Sequence, residues 1–206
     1  MGDHTADPTG LTGAAGTRQR ILDVANELFY DLGIRATSAD RIIEQVGITK
    51  VTFYRHFRTK SDLVVAYLEH QSAAEKAWMQ GLVQERDPLA TARAIAAGIG
   101  SASCHPGFRG CAFINAAAEY PDPHDPVRRA VDAHRGWMVD LFAGIAERVG
   151  AGDVRSVANQ LMLLRDGAMV NGYLGDAEAV AGSLDAAFAA VIASGGGRND
   201  RAEPLP

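Results

Sequence analysis

The sequence predicts an all-α protein built from two helical domains of unequal size. Apolar residues recur at three- and four-residue spacing along most of the chain, as in Ile21, Ala25, Leu28 and Leu32. Segments rich in proline and glycine interrupt this pattern at intervals of about one helix, and no strand-like alternation of useful length occurs. With 206 residues, of which 47% are hydrophobic, the chain has enough apolar material for a core.

Capping residues and glycines delimit the first four helices. A hydroxyl side chain at the N-cap accepts a hydrogen bond from the first turn, and glycine ends a helix by adopting a left-handed conformation. The candidate N-caps are Thr17, Thr37 or Ser38, Thr49, and Thr59 or Ser61. The candidate stops are Gly33 and Gly47. The fourth helix is expected to run past Trp78.

Five further helices are expected between proline- and glycine-containing breaks. Proline is tolerated in loops and in the first helical turn, where its missing N–H costs little. The breaks are Pro88, HPGFRG, YPDPHDP, GAGD and LGD. The expected helices are at about 87–103, 110–119, 126–149, 153–174 and 176–194.

Charge is distributed unevenly between the segments of the chain. Residues 17–63 hold eight Lys/Arg and six Asp/Glu, although the formal net charge of the whole chain is −5. A small positive region in an acidic protein indicates that this region meets a polyanion. We therefore expect a disordered leader at 1–16, a helix-turn-helix domain at 17–63, a second helical domain at 64–195 and a disordered tail at 196–206.

The chain carries no recognisable export or membrane signal. Its N-terminus has neither a basic start nor an apolar block, and no run of 18 apolar residues is present. Cys104 and Cys111 are too few for a disulfide framework and form no CxxC motif. The expected location is cytoplasmic, with no membrane partner. A bridge between the two cysteines, and their redox activity, are left open.

The positive region contains a helix, a glycine turn and a second helix within residues 38–57. In the second arm, TKVTFYRHF, Val51, Phe53 and Phe57 form the packing set. The other side chains of this arm bring the hydroxyls, cations and imidazole that donate to phosphates and base edges. They are Thr49, Lys50, Thr52, Tyr54, Arg55 and His56.

The segment ATSADRIIEQVGITKVTFYRHFRTKSDL, residues 36–63, resembles the DNA-binding segment of the TetR/AcrR family of regulators. The resemblance extends over about 17–65. It implies a repressor that leaves an inverted-repeat operator in double-stranded DNA when a small apolar or amphipathic effector binds the C-terminal domain. The phosphate contacts that it implies are Thr37 or Ser38, Thr49, Tyr54, His56 and Lys60. The residues that it places nearest the base edges are Lys50, Val51, Thr52 and Arg55.

Three residues depart from the family pattern. Val51 stands where the family often has a small residue, so it either contacts a thymine methyl or limits how deeply the helix seats. Ile43 and Val46 replace common alanines, which suggests slightly different packing. Arg18 and Arg20 are compatible with a minor-groove arm, but a solvated first turn is the favoured interpretation.

The C-terminal half is predicted to form a homodimer through the last two helices. Residues 154–173 are apolar on nearly all sides, and the last helix is rich in alanine and glycine, so both helices need more than one partner. The alternative is that both helices only complete a monomer core. Arg165 and Asp166 interrupt the apolar run and are expected to have separate partners in the dimer, the pocket or a buried ion pair.

A ligand pocket in this half is the second prediction. Methionines and aromatic residues form adaptable apolar walls, although plain core packing is equally compatible with each of them. The stretch RGCAFINAAAEY resembles a subset of the family in which a Gly-Cys turn precedes this helix. The predicted lining residues are Trp78, Phe108, Cys111, Phe113, Asn115, Trp137, Met138, Phe142, Met162 and Met169.

Two other classes of protein, an enzyme and an architectural nucleic-acid-binding protein, compete with this hypothesis. Asp122, His124 and Asp125, near Glu119, could bind a metal, but the interleaved prolines favour a connecting loop. Cys104 and His105 are sequence neighbours, which rarely form a catalytic pair. We predict no catalytic residue, no metal and no cofactor, hence not an enzyme. An architectural nucleic-acid-binding protein without an effector is the third class. The sequence does not separate repressor from activator, nor does it name the effector, the operator or the regulated genes.

Overall fold

The computed structural model describes residues 14–85 and 87–195. Most of the leader predicted at 1–16 and all of the tail predicted at 196–206 lie outside this range. The described residues form nine α-helices and no strand, which confirms the all-α prediction. In chain order these are α1 (Ala14–Leu32), α2 (Ala39–Val46), α3 (Lys50–His56), α4 (Lys60–Glu85), α5 (Pro88–Ser103), α6 (Ala112–Glu119), α7 (Pro126–Arg148), α8 (Val154–Leu174) and α9 (Ala177–Gly195).

The first helix begins earlier than the sequence predicted. Helix α1 starts at Ala14, so Thr17 lies inside the helix and is not its N-cap, and 14–16 are helical rather than part of a leader. Alanine and glycine carry no side-chain polar group to mark such a start, and the hydroxyl of Thr17 was the nearest capping signal.

The caps around the turn agree with the sequence. The side chain of Ser38 accepts a hydrogen bond from the backbone N–H of Arg41, and Thr49 caps α3 in the same way. Gly47 ends α2 with φ at 73°, a left-handed conformation that glycine adopts without steric cost. At the start of α4, Thr59 and Asp62 exchange side-chain-to-backbone hydrogen bonds of 3.0 Å, which makes Thr59 the cap.

The chain divides into two compact units between Tyr67 and Leu68. The boundary predicted from the sequence, between residues 63 and 64, lies four residues earlier, one turn into α4. Because α4 is one uninterrupted helix, local sequence signals mark where it begins and not where its residues change from one core to the other.

The first unit, up to Tyr67, closes a small aromatic and aliphatic core. Phe29 packs edge-on against Tyr67 with ring centroids 5.6 Å apart, and Phe53 contacts Phe57 at 6.3 Å. The fully or almost fully buried members of this core include Ile21, Leu22, Ala25, Phe29, Ile34, Ile42, Phe53, Phe57, Leu63, Val64 and Tyr67. Helices α2 and α3 are thereby fixed as a helix-turn-helix pair.

The second unit, from Leu68, is a helical bundle in which α5 packs on α9, and α8 packs on both α7 and α9. A Cβ added at Gly100 would lie 2.3 Å from the Cβ of Ala181, so glycine permits the close crossing of α5 and α9. Phe142 and Phe188 pack edge-on at 5.8 Å. By length and composition alone, α9 is the one helix in the described part of the chain that could cross a membrane. Its apolar stripe, which includes Leu184 and Phe188, is instead buried in the bundle.

Candidate nucleic-acid interface and regulatory core

Helix α3 separates packing and polar residues on opposite faces. Phe53 is completely buried and Phe57 nearly so, and these two rings hold the helix to the first unit. Val51 is 71% exposed and Tyr54 is also exposed, its ring packed edge-on against Phe53 at 5.2 Å. Arg55 is exposed as well. Val51 therefore belongs to the open face, although the sequence pattern had placed it with the packing residues.

An ion pair links the two arms of the turn. The ammonium of Lys50, at the start of α3, lies 2.9 Å from a carboxylate oxygen of Asp40 in α2, and both side chains are largely exposed. The hydrogen bond and charge of Asp40 raise the pKa of Lys50 above its ordinary value. Nothing in the sequence pointed to Asp40 as a partner of Lys50, because an acid in the first turn of a helix is already favoured by the helix dipole.

One of the two alternatives for the first phosphate contact is not accessible. Thr37 is completely buried, and its hydroxyl donates to the carbonyl oxygens of Leu28 at 3.1 Å and Gly33 at 2.9 Å. Ser38 is exposed next to it. The expectation for Thr37 is therefore corrected: its hydroxyl ties the end of α1 to the start of α2, and Ser38 is the residue of the pair that faces solvent.

Other predicted contact groups already bond within the protein. The ammonium of Lys60 donates to the carbonyl of Ile34 at 2.6 Å. The hydroxyls of Thr49 and Thr52 lie 2.9 Å apart and share a hydrogen bond, and both remain at the surface or partly exposed, as does His56. The first bond holds the Lys60 ammonium beside the connection between α1 and α2, and the second holds both hydroxyls at the N-terminal end of α3.

The two arginines of the first turns of α1 also bond within the first unit. The guanidinium of Arg18 lies over the ring of Phe57, 5.0 Å from its centroid. Arg20 donates to the carbonyl of Val46 at 3.3 Å. These contacts brace α1 against α2 and the end of α3, which gives both arginines a structural role.

The residues predicted to line a ligand pocket are distributed between core and surface of the second unit. Trp137 and Phe108 are partly buried, whereas Trp78 and Asn115 are exposed. The grooves between α8 and α9, on α6–α8 and at the ends of α8 and α9 are lined by other residues. The six buried members of the predicted set are Cys111, Phe113, Met138, Phe142, Met162 and Met169.

A cluster of charged side chains lies inside this unit and joins α4, α7 and α8. Arg165, only 2% exposed, donates to Glu75 at 3.0 Å and to Asp166 at 3.2 Å. Arg135 donates to the other oxygen of Asp166 at 2.6 Å. Arg165 and Asp166 thus have the separate partners predicted for them. The guanidinium of Arg165 also contacts Asp166, its neighbour in the chain. We call Glu75, His134, Arg135, Arg165 and Asp166 the core polar cluster.

His134 extends the core polar cluster toward α6. Its ring, 2% exposed, stacks on Phe113 with centroids 3.6 Å apart, and its Nδ1 lies 2.9 Å from the hydroxyl of Ser72. Its Nε2 lies 3.0 Å from a carboxylate oxygen of Glu75, but off the direction of a hydrogen bond, so this nitrogen has no hydrogen-bond partner. The Nε of Arg165 is likewise buried without a partner.

Charges in this cluster hold one another ionised. Burial acts to raise the pKa of Glu75, but the adjacent His134 and the charge of Arg165 outweigh it and lower that pKa below its ordinary value. Burial acts to lower the pKa of Arg165, and the neighbouring Cys111 and Glu75 reverse this and raise it. Both groups are therefore charged at neutral pH in spite of their burial.

A sequence signal for His134 existed in the spacing of α7. The buried residues Val127, Val131, Met138 and Phe142 form one stripe, and His134 stands on that same stripe. A histidine at a core position needs a polar partner. The sequence did not reveal which one, because Glu75 lies 59 positions away on α4.

The outer face of α8 and α9 is apolar and open. Leu163 is 71% exposed and Leu174 is 75% exposed, and Val170 and Tyr173 are also exposed. A groove of about 500 Å³ runs between the two helices. Its walls include Leu163, Leu164, Gly167, Ala168, Asn171, Ala179, Val180, Ser183, Leu184 and Ala187. Such a contiguous apolar face on a small domain marks an interaction surface.

The acidic loop before α7 has a local structural role. Asp122 accepts a hydrogen bond from the backbone N–H of His124, and Asp125 caps α7 by accepting from Val127. Arg129 in turn donates to the carbonyl of His124 at 2.6 Å. Within residues 14–85 and 87–195, no group of three or more potential metal-ligating side chains is gathered.

Comparisons with known proteins agree with this architecture. Residues 21–67 match the family described as bacterial regulatory proteins, tetR family. A TetR-family transcriptional regulator from Streptomyces coelicolor is 39% identical, with a TM-score of 0.84, over 88% of this chain and 96% of that protein. A TetR-family regulator from Agrobacterium tumefaciens is 26% identical, with a TM-score of 0.72, over 88% and 96%.

A shorter stretch of similarity links the chain to a further regulator. An HTH-type transcriptional regulator from Staphylococcus aureus is 46% identical over 50 residues, which is 24% of this chain. The chain spans only 27% of the length of that relative.

A helix-turn-helix unit joined to a larger helical bundle defines a one-component transcriptional regulator. The chain belongs to the TetR family of transcriptional regulators. Members of this family bind DNA, are typically dimeric and respond to ligands, and are generally not enzymes.

Proposed function

We propose that the protein is a sequence-specific repressor that leaves an inverted-repeat operator when a small apolar or amphipathic molecule binds its second unit. The observation that carries the DNA-binding part is the division of α3, with Phe53 and Phe57 buried and Lys50, Val51 and Arg55 on the open face. The proposed domains are the helix-turn-helix unit and the ligand-binding and dimerisation unit, and the proposed location is the cytoplasm.

The proposed DNA contacts follow from exposure. Lys50, Val51, Thr52 and Arg55 are at the start or on the open face of α3, where a recognition helix meets base edges. The side chains proposed to bind phosphates are Ser38, Thr49, Tyr54, His56 and Lys60. Binding should weaken steeply with salt, because each neutralised phosphate releases counterions.

The proposed dimer forms through α8 and α9. The open face that carries Leu163 and Leu174 would bury its apolar surface in a four-helix interface. In a two-fold dimer the recognition helices meet successive major grooves, about 34–36 Å apart, so the two half-sites should be inverted. This geometry makes an inverted repeat the expected operator.

The proposed effector binds within the bundle of the second unit. Buried side chains such as Phe113, Met138 and Met162 give the core adaptable walls, and the core polar cluster supplies hydrogen-bonding groups there. Release requires only that the effector binds the DNA-free form more tightly than the DNA-bound form.

Selection of bound sequences from a random duplex pool tests the DNA-binding proposal. The expected result is an inverted repeat with a fixed spacing, bound by a dimer. The full-length protein should then repress a reporter that carries this sequence between promoter and gene. Recovery of duplexes without a shared repeat would contradict specific recognition, and activation of the reporter would contradict repression.

A further inference from the structure

Val51 presents its side chain to solvent in the first turn of α3. It is 71% exposed, whereas Phe53, two positions further on, is completely buried. Residues three and four apart share a face of a helix. Tyr54 and Arg55, which stand at those distances from Val51, are exposed as well. These three side chains therefore form one continuous open face, opposite the face that packs on the first unit.

Neither packing nor helix propensity explains a valine at this position. Its exposed side chain contributes little to the core, and valine is a poorer helix former than alanine, lysine or glutamate. Isolated exposed apolar residues are common on protein surfaces, so exposure alone indicates no function. Val51, however, lies in the first turn of the second helix of a helix-turn-helix, and the N-terminal residues of that helix contact base edges.

The polar side chains on either side of Val51 already have partners in the protein. The ammonium of Lys50 lies 2.9 Å from a carboxylate oxygen of Asp40, and the hydroxyl of Thr52 shares a hydrogen bond of 2.9 Å with that of Thr49. To bind a base, either group has to give up or share such a contact. Val51 has no contact of this kind to lose, so it can meet a base edge without a rearrangement of α3.

The chemistry of the side chain selects the base. In the major groove the edges of the base pairs carry hydrogen-bond donors and acceptors, and the 5-methyl group of thymine is the apolar group among them. A polar edge pressed against a valine would lose water without gaining a hydrogen bond, which disfavours the other bases. Valine in a helix keeps one side-chain rotamer about nine times in ten, so its methyl groups can meet thymine with little loss of conformational entropy.

We propose that Val51 recognises one thymine in each half-site of the operator through the 5-methyl group of that base. This rests on the proposed specific binding to an inverted repeat, and it names a base that the protein selects and the side chain that selects it. A valine that acted only as a spacer, limiting how deeply α3 enters the groove, would change the affinity without a preference for thymine.

The test compares operators that differ in methyl groups alone. Deoxyuridine pairs as thymine does but lacks the 5-methyl group, and it replaces thymine at one position at a time, symmetrically in both half-sites of the selected repeat. Fluorescence anisotropy titrations with the full-length protein measure the affinity. One such replacement should weaken binding about fourfold per half-site, hence about 15-fold for the dimer, because each half-site loses one buried methyl group. A half-site in which no replacement weakens binding would overturn the proposal, as would a half-site without thymine.

A variant assigns the effect to this side chain. Val51→Ala should keep α3 folded, because the valine side chain is exposed and alanine is the better helix former; thermal unfolding checks this. Its discrimination between the thymine and deoxyuridine operators should fall to about threefold or less, since most of the apolar contact is removed. Leu89→Ala, which removes an exposed apolar side chain from α5, should discriminate like the wild type. Titration at low salt strengthens the phosphate contacts and keeps the affinities measurable. Unchanged discrimination by folded Val51→Ala would refute the assignment.

These measurements separate the inference from the proposed repressor function. A protein that selects an inverted repeat but tolerates deoxyuridine throughout keeps its specific recognition and defeats the inference. Selection of duplexes without a shared repeat defeats specific recognition itself, and the inference with it. A deoxyuridine effect that depends on Val51, in a protein that activates the reporter, supports the inference and contradicts repression.

Discussion

Replacing Leu163 with alanine removes the most protruding side chain from the groove between α8 and α9. Leu163 is 71% exposed and lines that groove. In a two-fold dimer the same substitution acts twice, once in each copy. The change should therefore weaken the dimer while leaving each folded unit intact.

The size of the effect follows from the area that a partner would cover. Full burial of a leucine side chain contributes about 1.5–3 kcal/mol. With 71% of Leu163 still exposed, burial by a partner contributes about 1–2 kcal/mol per copy, or about 2–4 kcal/mol per dimer. The dimer dissociation constant should rise roughly 30- to 700-fold.

Sedimentation velocity over a concentration series measures this constant, and a gel shift at fixed protein concentration reports its consequence for operator binding. Val51→Ala is the matched control, because Val51 is equally exposed but lies on α3. It should leave the dimer unchanged and alter the half-site preference. A Leu163→Ala protein that dimerises like the wild type would refute the assignment of this face.

Three further outcomes are expected. Asp40→Asn frees Lys50 from its ion pair and removes a negative charge beside the DNA, so operator affinity in gel shifts should rise at low salt; an unchanged or lower affinity would contradict this account. Gly100→Ala places a Cβ 2.7 Å from a backbone atom of α9 and should lower the free energy of unfolding by about 1–3 kcal/mol. Gly182→Ala, with open space around its Cβ, should raise the free energy of unfolding by up to about 1 kcal/mol. Urea denaturation measures both values, and equal effects of the two substitutions would exclude tight packing as the cause. The pKa of Glu75 is lower in the folded protein than in the unfolded chain, so its ionised carboxylate stabilises the fold at any pH above the ordinary pKa of glutamate. This stability is lost as the pH falls from the ordinary pKa toward the lowered pKa. The thermal unfolding temperature of Glu75→Gln should therefore depend less on pH in acid than that of the wild type.

The helices were predictable because their signals are local. Ser38, Thr49 and Gly47 specify caps and a turn within a few residues, and the structure uses each of them as expected. The early start of α1 was not predictable from Thr17, since residues 13–16, GAAG, carry no capping side chain. Local chemistry therefore defined the elements well and some of their ends less well.

The candidate sites depend on distant pairs, which a single sequence does not reveal. Thr37 has the same hydroxyl chemistry as Ser38, and only the position of Leu28 and Gly33 explains why it is buried. Glu75 and Arg165 are 90 positions apart. Residue type indicated that such groups needed partners, and the packing of helices determined which partners they found.

The boundary at Tyr67 has a consequence for how the protein can diverge. The first unit closes its core within the residues up to that position, which is also where the family match ends. Substitutions after it change a separate core. Under selection, the DNA-binding unit can then keep its own core unchanged. The bundle is meanwhile free to acquire new effector chemistry one side chain at a time.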